Sequence, residues 1–210
     1  MKIKLAKFWK MSNYEKLNKF KFVFAMLKTK FYYKFFFKNI GEKSIIFNPL
    51  YFGNPDYIAI GKNTLIRAGS RLEVIQDSDS FFGNLTIGDN VNIEQNVHIV
   101  CGGKIRIGNN VSITGNVAIV DVKHPHDDVY STVKIGSRIQ CKGNYIEIED
   151  GVFIGFGSII LPNVKVGKNS VIGAHTIVNI DVPSYCVVGG NPMKILKKYD
   201  FESNEWKRIS

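Results

Sequence analysis

The sequence is short of cysteine, of histidine and of long apolar runs, and each shortage removes a class of protein. The three cysteines, Cys101, Cys141 and Cys186, are an odd number without CxxC spacing, which argues against a disulfide framework and a thiolate zinc site. They read as reduced thiols of a cytoplasmic protein. The four histidines, His98, His124, His126 and His175, are scattered, and no metal is expected. In the N-terminal region the longest charge-free piece, Phe22 to Leu27, is six residues, against the roughly 20 that a membrane-spanning helix needs. Neither a signal peptide nor a spanning segment is expected. Acidic residues are missing from one place only. Residues 1–40 hold eleven lysines and one acid, whereas the rest of the chain holds seventeen charges of each sign. A neutral body with a cationic front end argues against nucleic acid and for a local contact surface.

What is present falls into two patterns. From Tyr14 to about Phe37, Leu17, Phe20, Val23, Phe24, Leu27 and Phe31 recur at spacings of three and four among lysines, the pattern of a basic amphipathic helix. Residues 1–40 are therefore read as a helical extension. Two uses suit it: a cap on the body or contact between subunits, or peripheral contact with an anionic membrane through residues 14–37. After Ile40-Gly41 glycine and β-branched residues take over, and the period becomes six. Ile148, Ile154, Ile160, Val166, Ile172 and Val178 stand six apart, with shorter runs at Ile60, Ile66, Leu72, at Ile87, Ile93, Ile99 and at Ile107, Ile113, Ile119. Neither a helix nor an ordinary strand repeats at six. A coil of short strands does, if each hexad forms one side of a three-sided prism and turns its aliphatic residue inward. Glycine is expected at the corners, where positive φ or close backbone approach penalises a side chain. The fold class is thus mainly β, with the prism over residues 41–190 and a C-terminal tail over 191–210.

Breaks in the period mark candidate functional segments. The largest, residues 120–145, opens Val120-Asp121-Val122-Lys123-His124-Pro125-His126-Asp127-Asp128. Transfer of an acyl group from a thioester to a hydroxyl needs a base that titrates near neutrality, which makes His124 the candidate. The alternative for the same residue is a solvated loop histidine.

The hexads, the loop and the segment Gly190-Asn191-Pro192 together resemble the hexapeptide-repeat acyltransferases, whose coils wind left-handed. The stretch from Ile107 to Asp128 is similar to galactoside and maltose O-acetyltransferases, and His124 falls on their catalytic histidine. The Asp121-x-x-His124 spacing resembles polysaccharide-biosynthesis O-acetyltransferases. The resemblance implies a homotrimer with acetyl-CoA along the C-terminal coils. It also implies an oxyanion donor at the backbone amide of Phe156. Phe153, Gly155, Ala174 and Asn179 fall on donor-site positions, with Phe153 where a tryptophan is common. Lys194 and Lys197 fall near the CoA phosphates. On the acceptor side it implies Glu94, Asp121 and His126. Glu94 and Gly102 stand where galactoside enzymes carry asparagine and aspartate, which argues against galactosides and for another sugar, a nucleotide sugar or a glycan unit. His98 and His175 lie in regular hexads and read as structural or donor-side positions.

The function this implies is acetyl transfer from acetyl-CoA to a sugar hydroxyl in surface polysaccharide or lipopolysaccharide biosynthesis, in the cytoplasm or at the inner face of its membrane. Alternatives are N-acetylation of a nucleotide-linked amino sugar and a non-catalytic β-helix used for assembly. A prism holding zinc between subunits would want three converging histidines.

Overall fold

The architecture follows from the six-residue period. A computed structural model of the chain describes residues 10–78 and 81–209. In it the hexads become short strands that stack into three parallel sheets, one per face of a prism. The first sheet collects Asn39–Ile40, Ile58–Ile60, Asn84–Ile87, Lys104–Ile107, Tyr145–Ile148 and Val164–Val166. The second runs from Ile45–Ile46 through Leu65–Ile66, Asn92–Ile93, Ser112–Ile113, Phe153–Ile154 and Val171–Ile172 to Cys186–Gly189. The third is made of Tyr51–Gly53, Arg71–Val74, His98–Cys101, Ala118–Val120, Ile159–Ile160 and Ile177–Val178. Each coil visits the three faces in that order.

Register places like on like. Ile87, Ile107, Ile148 and Val166 pair in one ladder, Ile93, Ile113, Ile154 and Ile172 in a second, and Ile99, Ile119, Ile160 and Val178 in a third. All twelve are at most 1% exposed. Burying each contributes roughly 1.5–3 kcal/mol, and a one-residue slip would turn every one of them to solvent. The hydrophobic pattern therefore fixes the register.

Glycine and asparagine divide the corners between them. A Cβ on Gly61 would lie 2.5 Å from the Gly88 backbone, and one on Gly88 would lie 2.6 Å from the Gly108 carbonyl oxygen. These glycines let successive coils touch. The left-handed φ falls instead mainly on asparagine, nine of the twelve positive-φ non-glycine residues among those described, because a short amide tolerates that region best. Asn90 and Asn110, both with φ of 56°, also stack, the Asn90 amide donating to Asn110 Oδ1 at 2.7 Å.

The N-terminal helix, α1, spans Asn13–Phe31, opened by a capping box between Ser12 and Glu15. It stops short of the expected Phe37 because the chain turns inward: Tyr33–Phe35 is a 3-10 turn, and Tyr33 and Phe37 are buried against Phe52, ring centroids 5.5 and 4.9 Å away. These rings plug the open end of the prism. The helix itself buries only Ala25 and Thr29. The Thr29 hydroxyl donates to Ala25 O and accepts from Ile46 N at 2.9 Å, which joins α1 to the first coil. Prism pairing starts at Asn39, inside the segment expected as extension, and residues 1–9 of that segment lie outside the described residues.

The expectation of a C-terminal tail is corrected. Lys194–Asp200 and Glu205–Arg208 are antiparallel strands added beyond Cys186–Gly189. The last coil leaves a sheet edge with unpaired backbone groups, and this hairpin covers it.

Candidate active site

The long excursion leaves the third sheet after Val120 and re-enters the first at Tyr145. It therefore hangs on the corner between those two faces. Its root is fixed by Asp121, whose carboxylate is fully buried and accepts from the backbone N–H groups of Gly102 and Gly103, the latter at 3.0 Å. Burial raises the Asp121 carboxyl above the usual carboxylate value, against the pull of those backbone donors. The expected contact between Asp121 and an acceptor is thus corrected: the side chain has no exposed surface to offer, and it anchors the loop. Its spacing to His124 reflects that anchoring, since no hydrogen bond joins the two.

Above the root, Lys123 and Gln140 exchange two backbone hydrogen bonds of 3.1 and 2.9 Å and pinch the loop closed. His124 lies just beyond, exposed, with Nδ1 3.0 Å from the Arg138 carbonyl oxygen. A carbonyl only accepts, so Nδ1 carries a proton, and the tautomer this selects holds its lone pair on Nε2. Arg138 is itself locked. Its guanidinium donates to the carbonyls of Val133 at 2.9 Å, Asp128 at 2.8 Å and Ser131 at 3.1 Å. One side chain thus gathers the loop around the carbonyl that orients His124. Sequence reading missed Arg138. Its only signal is that it is the single arginine between residues 120 and 145, with a forked donor set suited to several carbonyls. His126 stands beside His124, exposed, with Nδ1 3.4 Å from the His124 carbonyl oxygen.

A second group of residues lies on a different corner, between the second and third faces. Phe156 follows Ile154 there, with its ring 47% exposed and set edge-on to His175 at 5.6 Å. Among the described residues its backbone N–H joins none of the turn or inter-coil backbone hydrogen bonds. Gly155 lets the next coil approach: a Cβ there would lie 2.6 Å from Ala174 N. Ala174 continues the same corner, exposed. Phe153 projects from the second face beside it, 42% exposed. Further along, Lys194 pairs opposite Gly189 and Lys197 opposite Val187, which carries both lysines on the added hairpin. Glu94 occupies the same corner two coils earlier, ion-paired to Arg67 at 3.0 Å. Asn179 lies apart from these, beyond Ile177–Val178 on the corner that bears the His124 loop.

In a single prism the two groups are separate: His124, His126 and Asn179 lie on one corner, Phe156, Gly155, Ala174 and Glu94 on another. No cysteine joins either. Cys101, Cys141 and Cys186 are all buried, and burial, reinforced by the Asp121 carboxylate, raises the Cys101 thiol far above its usual value. His98 is on the third face, where burial first and Arg71 second lower its pKa. Among the described residues no group of three or more His, Cys, Asp or Glu is placed to hold a metal ion. Likewise, no helix among them is long and apolar enough to cross a membrane.

A prism of stacked hexads in three parallel sheets is the fold of left-handed β-helix proteins. Residues 145–179 match the repeat family described as bacterial transferase hexapeptide (six repeats). The chain is 29% identical over 168 residues to WbbJ of Escherichia coli (strain K12), named for O-acetyl transfer in lipopolysaccharide biosynthesis, covering 78% of this chain and 83% of that protein. It is 35% identical over 169 residues to a galactoside O-acetyltransferase of Lactococcus lactis, covering 77% of this chain and 63% of the relative. Among solved structures, AntD from Bacillus cereus, an N-acyltransferase in complex with dTDP and 3-hydroxybutyryl-CoA, superposes with a TM-score of 0.69 at 21% identity over 83% of this chain and 90% of that one. Over about three quarters of its length the chain is thus similar to sugar O-acetyltransferases, and residues 145–179 carry the hexapeptide repeat itself.

Proposed function

We propose that this chain transfers an acetyl group from acetyl-CoA to a hydroxyl of a sugar, nucleotide sugar or glycan unit, with His124 as general base. The reading rests chiefly on one observation: His124 Nδ1 faces the Arg138 carbonyl, which leaves Nε2 as the proton acceptor on an exposed loop. Nε2 takes the proton from the acceptor hydroxyl, and the oxygen attacks the thioester carbonyl carbon. The resulting oxyanion is received by the Phe156 N–H. When the carbon–sulfur bond breaks, the imidazolium returns its proton to the CoA sulfur, giving an acetyl ester and the free thiol. No covalent enzyme intermediate is used, in keeping with cysteines that are buried. Ala174, Gly155 and Phe153 line the donor groove, and Lys194 and Lys197 meet the CoA phosphates.

The working unit is a homotrimer. Base and oxyanion donor sit on different corners of one prism, so a productive site forms when the loop corner of one copy meets the Phe156 corner of the next. The exposed apolar loop residues Val129, Tyr130, Val133 and Ile135 support such a contact; Tyr130 is 93% exposed in the single chain. Acetylation of the hydroxyl in lipopolysaccharide or related polysaccharide synthesis is favoured by the likeness to WbbJ. The test is CoA release from acetyl-CoA with a panel of neutral sugars, nucleotide sugars and nucleotide-linked amino sugars, followed by mass analysis of the product. Transfer to a hydroxyl, falling about 10²–10⁴-fold in His124→Ala, is expected. Full transfer by His124→Ala removes the base assignment, and acetylation of amines alone overturns O-transfer.

A further inference from the structure

We infer that α1 docks the enzyme onto an anionic phospholipid surface. The helix carries Leu17, Phe24, Leu27 and Phe31 at heptad spacing, and Phe24 is 68% and Phe31 62% exposed. At about 100° per residue, this stripe centres roughly 135° around the helix from Ala25 and Thr29, the two residues buried against the prism. Leu17 and Phe24 are therefore turned away from the body, while Leu27 and Phe31, nearer the end of α1, border a groove against the first coil. Helix geometry sets Lys21 and Lys28 along one flank of the stripe and Lys30 along the other, and past the helix end Phe35 is 81% exposed. Apolar residues bordered by lysines on both sides suit a helix lying in an interface, with rings among acyl chains and ammonium groups among phosphates.

Two further features choose the occupant. The end of α1 and the first coil enclose a groove of about 580 Å³ lined by Met26, Leu27 and Phe31 together with three lysines, Lys30, Lys34 and Lys43, and one acid, Glu42. Apolar wall and cationic groups side by side match the two halves of a phospholipid. Charge argues against a second copy of the stripe: residues 1–40 carry eleven lysines and one acid, so two such faces would oppose like charge on like. An anionic bilayer supplies the missing negative charge.

The test is sedimentation of the full chain with vesicles of equal parts phosphatidylglycerol and phosphatidylcholine, against vesicles of phosphatidylcholine alone, at low and high salt. Binding to the anionic vesicles, weakened by salt, is expected. Each lysine near the surface contributes about fivefold in affinity, so Lys21→Gln/Lys30→Gln/Lys34→Gln together should weaken binding roughly a hundredfold. Phe24→Ser/Phe31→Ser should release the protein as well, with oligomeric state and CoA release unchanged. Equal binding to both vesicle types, no binding to either, or a phenylalanine variant that still binds would overturn the inference. So would a phenylalanine variant that changes the oligomeric state, which would assign the stripe to a subunit contact. Since adsorption is read directly, its failure is distinct from any failure of acetyl transfer.

Discussion

Replacing Arg138 by methionine isolates the orienting device of the loop. Methionine keeps an unbranched apolar stem and removes all three donors to the carbonyls of Asp128, Ser131 and Val133. The backbone carbonyl that receives His124 Nδ1–H is chemically untouched; only its position is released. Each lost bond contributes about 0.5–1.5 kcal/mol net, or roughly 1.5–4.5 kcal/mol of loop order for the three. That order is local, because the loop hangs outside the three isoleucine ladders, so Tm should move by no more than about 2 °C. A misplacement of the base by about 1 Å costs on the order of 10²-fold in rate. Arg138→Met should therefore lower kcat by roughly 10–100-fold, less than His124→Ala. KM for acetyl-CoA should hold, since the groove proposed for the donor lies on another corner of the same prism. The base itself is unchanged, so the pH of half-maximal kcat/KM should match that of the unaltered chain. CoA release across a pH series, with the best acceptor from the panel, measures all three. Undiminished turnover by Arg138→Met would refute the argument, and a shifted pH profile would show that Arg138 acts on the proton rather than on position.

Three further outcomes follow from other parts of the molecule. Gly88→Ala places a Cβ 2.6 Å from the Gly108 carbonyl oxygen, and with backbone unable to yield it should cost about 3 kcal/mol or more, read as a Tm lowered by at least roughly 6 °C. Asp121 has a raised pKa when folded, so the folded state holds that proton more readily than the unfolded one. The stability this gives is full below the ordinary carboxylate range and is lost as pH rises through the raised value. Urea unfolding over an acid-to-neutral series should show that fall in the wild type, relative to Asp121→Asn, where the step is absent. Finally, acetyl-CoA near a hundred times its Kd should stabilise the protein by about 2.7 kcal/mol, and Lys194→Glu/Lys197→Glu should weaken that binding, measured by thermal shift, whereas zinc should give no shift.

The period of six, the inward Ile and Val and hence the stacked register were legible in the linear sequence, because burial selects side chains by type and a repeat of type is visible without coordinates. The loop that bears His124 was legible for a related reason: a break in a strict repeat stands out. Other features depend on which residues distant in sequence end up adjacent, and only the folded chain decides that. Asp121 and His124 stand close in sequence, yet one points into the prism and the other out of it. Arg138, fourteen residues beyond His124, orients it through a carbonyl that every residue possesses. The corners also differ from the simple expectation, since asparagine supplies most of the left-handed turns there and glycine the close approach of coils. For α1 the pattern of Phe and Lys was plain, but which side met the prism was set by two small residues, Ala25 and Thr29, that leave Leu17 and Phe24 facing outward.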